Sequence, residues 1–110
     1  MAFSELERKR VDRLIGSYCR AKTRSELAFV YELEGQSVIL CEERPDWRDR
    51  SKRMRTPVAK FRFVRTSRHW TLYWMRADRR WHRYEPAEPS PDLASLLKLV
   101  DCDQYGAFFG

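Results

Sequence analysis

The chain has 110 residues, with 22 Lys and Arg against 16 Asp and Glu for a formal net charge of +6, and 43% hydrophobic residues that include six Phe, five Tyr and four Trp. That length builds one core and one domain, with no room for a second core beside a large enclosed active site. No stretch approaches the roughly 20 apolar residues a bilayer span needs, and three Cys lack the even count and density of a disulfide-stapled secreted scaffold, so a reducing, cytoplasmic setting is expected.

Ser4-Glu5-Leu6-Glu7 has the form of a capping box, and residues 1–10 reach their charges at once, so a helix and not a secretion signal is expected here. Leu6, Val11, Leu14, Ile15 and Tyr18 give that helix an apolar side through about Arg20, with Cys19 beside it as a small hydrophobe. Leu27–Leu33 and Ser37–Glu42 are predicted strands, joined by a two-residue turn at Glu34-Gly35. That register sets Phe29 opposite Leu40 and Tyr31 opposite Val38, and leaves Cys41 on the other face with Ala28 and Val30.

Residues 44–57, RPDWRDRSKRMRTP, follow neither period and are bracketed by Pro, which predicts a long loop rich in Arg and Lys. Trp47 is expected to pin this loop to the body. Val58–Arg65 and His69–Met75 form the clearest hairpin, and a turn at Thr66-Ser67 pairs Phe63 with Trp70, Phe61 with Leu72 and Ala59 with Trp74. A third strand, Trp81–Tyr84, follows a turn centred on Asp78-Arg79, which pairs Trp74 with Arg83. One face then gathers Ala59, Phe61, Phe63, Trp70, Leu72, Trp74 and Trp81 as a core that two helices can cover. The other gathers Lys60, Arg62, Thr71, Tyr73, Met75, His82 and Tyr84.

Ser90-Pro91-Asp92 reads as an N-cap, a Pro at the first helical position and an acid in the first turn of a second helix. Leu93, Leu96, Leu97 and Val100 face inward through about Asp101, and Tyr105, Phe108 and Phe109 are expected to pack back on the body, with Gly106 and Gly110 relieving crowding. The predicted fold is α+β, an antiparallel sheet of about five strands in the order α-β-β-β-β-β-α.

Charge falls in blocks: −1 over residues 1–43, +11 over 44–83 and −4 over 84–110. A concentrated basic segment attracts polyanions and loses that attraction with salt. The basic and aromatic sheet face, Lys60, Arg62, Tyr73, His82 and Tyr84, aided by Arg48, Arg50, Lys52, Arg53 and Arg55 of the loop, therefore points to non-enzymatic binding of single-stranded nucleic acid, phosphates held by charge and bases stacked on rings. The alternative is a protein partner or a second copy covering the same face, with monomer and homodimer both open.

No Gly-rich phosphate loop or C-x-x-C pair is present, and His69 and His82 are the only histidines, so no cofactor or metal site is expected. Glu42, Glu43, Asp46 and Asp49 beside Arg44, Arg48 and Arg50 make a metal-dependent hydrolase or nuclease a weaker alternative, because carboxylates beside Arg normally remain surface pairs.

Several strings in order carry a further signal: Glu34-Gly35-Gln36-Ser37-Val38, Arg44-Pro45-x-Trp47, Pro57-Val58-Ala59-Lys60-Phe61-Arg62, Trp70-Thr71-Leu72-Tyr73-Trp74-Met75, Trp81-His82-x-Tyr84 and Phe108-Phe109-Gly110. With them the chain resembles DUF3024, a family of small bacterial proteins of unknown function, over about Phe3 to Gly110. The resemblance implies a compact bacterial domain and supplies no catalytic residues. Relatives often carry Asn-Gly where this chain has Asp78-Arg79.

Overall fold

The computed structural model describes residues 2–109. Ser4 caps the first helix reciprocally: its hydroxyl accepts from Glu7 N at 3.2 Å, and Glu7 Oε1 accepts from Ser4 N at 2.8 Å. Helix α1, Glu5–Val11, runs through a π-helical turn, Asp12–Gly16, into α2, Ser17–Lys22. Val11, Ile15 and Cys19, spaced by four, are buried as one line. Leu6 was expected on that side but is 60% exposed. Five residues at about 100° each place it roughly 140° away from Val11.

Gly16 is buried, and a Cβ there would lie 2.6 Å from Asp12 Oδ1. The bare glycine lets that carboxylate lean across the helix and accept the Tyr31 hydroxyl at 2.7 Å, tying the helix to the first strand.

Five strands follow: β1 Ala28–Glu34, β2 Ser37–Pro45, β3 Arg53–Val64, β4 His69–Met75 and β5 Trp81–Arg83. They form one antiparallel sheet in sequence order. The β3–β4 register is as predicted, with Phe63, Phe61 and Ala59 opposite Trp70, Leu72 and Trp74.

Three expectations for the sheet are corrected. The β1–β2 turn sits at Gly35-Gln36, with Gly35 at φ 59 in the first central position where a II′ turn needs positive φ, so Tyr31 pairs with Leu40 and Phe29 with Glu42. This two-residue shift leaves each side chain on its expected face. Half of residues 44–57 are strand: Arg44 pairs with Met54 and Pro45 with Arg53, leaving only 46–52 as the loop. The strand persists because its arginines pair across it with acids of β1 and β2, a cross-strand pattern that a search for apolar alternation misses.

The third correction is the β4–β5 register. Tyr73 pairs with Arg83, Trp74 with His82 and Met75 with Trp81, one residue from the expected pairing. Arg76 N bonds to Arg80 O at 3.2 Å, closing a three-residue loop whose last member, Arg79, takes φ 62. Asp78 pins this loop by accepting from Arg80 N at 3.0 Å.

Helix α3, Leu93–Cys102, is capped by Asp92 rather than Ser90: Asp92 Oδ1 accepts from Ala94 N, while Ser90 accepts from Asp92 N. Leu93, Leu96, Leu97 and Val100 join Val11, Ile15, Val38, Leu40, Ala59, Phe61 and Leu72 in one core, so all helices cover the same sheet face. The chain turns at Asp103, φ 45, whose carboxylate accepts from Phe108 N and Phe109 N. That clasp seats Phe108 in the core against Tyr84, ring centroids 4.9 Å apart. Gly110 lies outside the described residues. No helix among the described residues is long and apolar enough to cross a membrane.

Candidate functional site

The helices leave the other sheet face open. The register places Glu32, Ile39, Lys60, Tyr73 and Arg83 side by side across all five strands. Beside that row stand Glu34, Ser37, Arg62 and Thr71, and on its other side Met75 opposite Trp81. Lys60, Tyr73 and Trp81 are half-buried; Arg62 and Arg83 are exposed. Among the described residues, Lys60, Arg62 and Arg83 form no ion pair.

Two expected members are absent from this face. Tyr84 is buried in the core, and His82 shares the helix-covered side with its partner Trp74, its Nε2 2.8 Å from Asp78 Oδ2. The one-residue slip that removes them brings Trp81 and Arg83 onto the open face instead. Asp78 is held below the ordinary carboxylate range, first by His82 and then by the Arg80 N–H, so His82 serves the turn.

A β-bulge extends the open face toward the β2–β3 tip. Leu40 pairs with Ala59 but Cys41 with Pro57, making Val58 the extra residue. A Pro, with no N–H to offer the ladder, is well placed beside such a break. Strict alternation would put Arg53 and Arg55 with Ala59 and Phe61 beneath the helices. The inserted residue changes the phase, and Arg53 and Arg55 instead share the face of Lys60 and Arg62. Their contacts agree: both reach Glu43, at 2.9 and 2.7 Å, and Arg55 also bonds Glu32.

The cations nearer the tip are largely paired. Besides Arg53 and Arg55, Arg50 meets Glu26 at 2.8 Å and Arg48 meets Asp46 at 3.7 Å; Lys52 alone of the five predicted loop cations has no ion pair among the described residues. Glu43 is held below the usual carboxylate range, chiefly by the Arg55 hydrogen bond. Trp47 does not pin the tip to the body: it is 78% exposed, with only the Arg48 guanidinium over its ring at 5.2 Å.

The carboxylates considered for hydrolysis are dispersed. Glu42 and Glu43, adjacent on β2, face opposite sides of the sheet, with Glu42 against Arg44 and Glu43 against Arg53 and Arg55. Asp49 accepts from Ser51 N and Ser51 Oγ within the turn. Among the described residues no three His, Cys, Asp or Glu side chains are grouped as metal ligands. Cys41 is buried on the open face, where burial pushes its thiol up to about 11, so it packs as a small hydrophobe.

A separate open cavity of about 720 Å³ lies on the helix side, between the start of α1 and the start of α3, floored by Phe3, Phe63 and Trp70. Arg65 spans its rim, bonding both oxygens of Glu7 at 3.0 and 2.9 Å. The Phe3 and Trp70 rings stack at 5.8 Å beneath it. The Arg65–Glu7 pair and the Phe3–Trp70 stack hold the N-terminal segment to the β3–β4 end.

The family model described as "Domain of unknown function (DUF3024)" matches residues 3–110. No curated protein and no solved structure matches the chain.

Proposed function

The chain belongs to the DUF3024 family, and from its own geometry we propose that it is a non-enzymatic binder of single-stranded nucleic acid, carried on the helix-free sheet face. The observation that supports this most is the row Lys60–Tyr73–Arg83, in which an aromatic ring stands between two cations that pair with no carboxylate among the described residues. Arg62 flanks Lys60 on β3 and Trp81 flanks Arg83 on β5, so the patch offers three positive charges and two flat rings. Charge of that kind holds phosphates, and rings beside it accept bases with little regard for sequence. Single strands suit it because their bases are free to leave their own stack.

Self-association is the second reading, favoured by the apolar centre of the same face. It draws less support, because Ile39 and Cys41 at that centre are 7% and 2% exposed already and leave little apolar area to gain. A stable interface buries about 800 Å² per partner.

Fluorescence anisotropy with a labelled single strand of about 12 nucleotides at low salt tests the proposal. Binding should weaken steeply with salt and fall at least about fivefold in Tyr73→Ala, the low end of what one stacked base contributes. Equal, negligible binding by parent and variant would overturn it, and light scattering over a concentration series would then decide between monomer and dimer.

A further inference from the structure

We infer that the β2–β3 tip is a second contact for the same strand, with Trp47 as the platform on which one of its bases stacks; this rests on the reading of the sheet face above. Trp47 has the largest fractional exposure of the exposed large apolar side chains among the described residues, and it stands in a turn that is held in place. Asp46 N bonds Lys52 O, Lys52 N bonds Asp49 O, and the Asp46 and Asp49 carboxylates accept from Arg48 N and Ser51 N. The turn thus presents the ring to water by construction and does not leave it there by fraying. Arg48 covers one side of the indole, which leaves the opposite side for a flat partner.

The bulge at Val58 makes the tip continuous with the sheet patch. Because it rephases β3, Arg62, Lys60, Arg55 and Arg53 follow one another along a single face that leads to the turn. Arg53 and Arg55 share Glu43, an exchangeable arrangement, since exposed ion pairs are weak and a phosphate competes with a carboxylate for the same guanidinium. At about 3.3 Å per residue, Lys60 and Arg53 are roughly 23 Å apart along the strand. A polyanion with planar groups matches this sequence of charge and then ring. A lipid surface matches it less well: among the described residues Met54 is the only other large apolar side chain of the tip exposed to water, and charged residues flank both.

Strand length separates this inference from its premise. Stacked at about 3.4 Å per nucleotide, an oligonucleotide of about 12 spans roughly 40 Å and reaches patch and tip, whereas one of about four reaches only one of them. Oligothymidylates of both lengths would be titrated against the parent, Trp47→Ala, Trp47→Phe and Tyr73→Ala. The parent should bind the long strand more tightly, Trp47→Ala should lose that advantage by about fivefold or more, and Trp47→Phe should keep most of it. A Trp47→Ala protein that keeps the full length advantage, while Tyr73→Ala weakens both strands, overturns the tip contact and leaves the face reading standing. Absence of binding by the parent overturns both. Trp47-dependent binding to phosphatidylserine vesicles, without any effect on the long strand, overturns it in favour of a membrane contact.

Discussion

Two parts of the open sheet face carry basic residues, yet at one of them all but Lys52 of the predicted cations are paired within the chain. Near the β2–β3 tip, Arg48, Arg50, Arg53 and Arg55 each meet an acid of the same chain, and Glu43 alone serves two of them. Across β3, β4 and β5, Lys60, Arg62 and Arg83 meet none among the described residues, with Tyr73 between Lys60 and Arg83 and Trp81 beside Arg83. A count of charge along the sequence treats these regions alike. What a polyanion encounters is the remainder after cross-strand pairing, and that depends on which acids the sheet places opposite which bases.

The contrast depends first on the β5 register, and the largest expected effect tests it. Tyr84→Ala, which opens the core beneath Phe108, should lower stability in urea unfolding by about 3 kcal/mol, whereas Tyr73→Ala should cost about 1 kcal/mol or less. The reverse order would return Tyr84 to the open face and remove Trp81 and Arg83 from it. Next in size, the double substitution Lys60→Ala, Arg62→Ala should weaken binding of a single strand about tenfold or more and reduce the salt slope by about 1.4, since each lost phosphate contact on a single strand removes about 0.7. Arg53→Ala with Arg55→Ala should do less, because those side chains must first leave Glu43. Equal losses would erase the distinction between the regions.

Glu43→Gln sharpens the same contrast in the opposite direction. It frees Arg53 and Arg55, so binding should strengthen by about threefold, of the order expected for releasing exposed pairs. Glu5→Gln on α1 makes the same change in charge on the helix side and should have a smaller effect. The smallest effect concerns pH. Glu43 is depressed first by Arg55, so its side-chain resonance should titrate below the ordinary Glu value of about 4.3, and Arg55→Ala should bring it back up. A depressed carboxylate stabilises the fold above its unfolded pKa and loses that contribution as pH falls through the folded one, so the pairing at the tip should fade only as pH falls below the ordinary Glu range.

What could be read in the sequence was local, or protected by parity. The Ser4 and Glu7 cap is a four-residue pattern, and the β3–β4 register follows from two runs of aromatic residues on either side of one turn. The β1–β2 turn was displaced, but by a shift of two, so Phe29, Tyr31, Val38 and Leu40 stayed on the covered face. The β4–β5 slip was one residue, and it exchanged Tyr84 and His82 for Trp81 and Arg83. The cause is Arg79 at positive φ, a conformation that neither Gly nor Asn marks in this sequence. Val58 was equally hidden, because a bulge opposite the buried Leu40 and Cys41 leaves no compositional trace beyond the neighbouring Pro57. The exposure of Trp47 was missed because a large ring in a charged loop reads as an anchor until the loop proves to be a strand extension with its own turn.

The proposal that the open face holds a single strand is tested most directly by NMR titration of labelled protein with an oligothymidylate of about 12 nucleotides at low salt. Shifts concentrated at Lys60, Arg62, Tyr73, Trp81 and Arg83, and reversed by added salt, are the predicted result. Spectra that do not change, or changes confined to α1, α2 and α3, would contradict it.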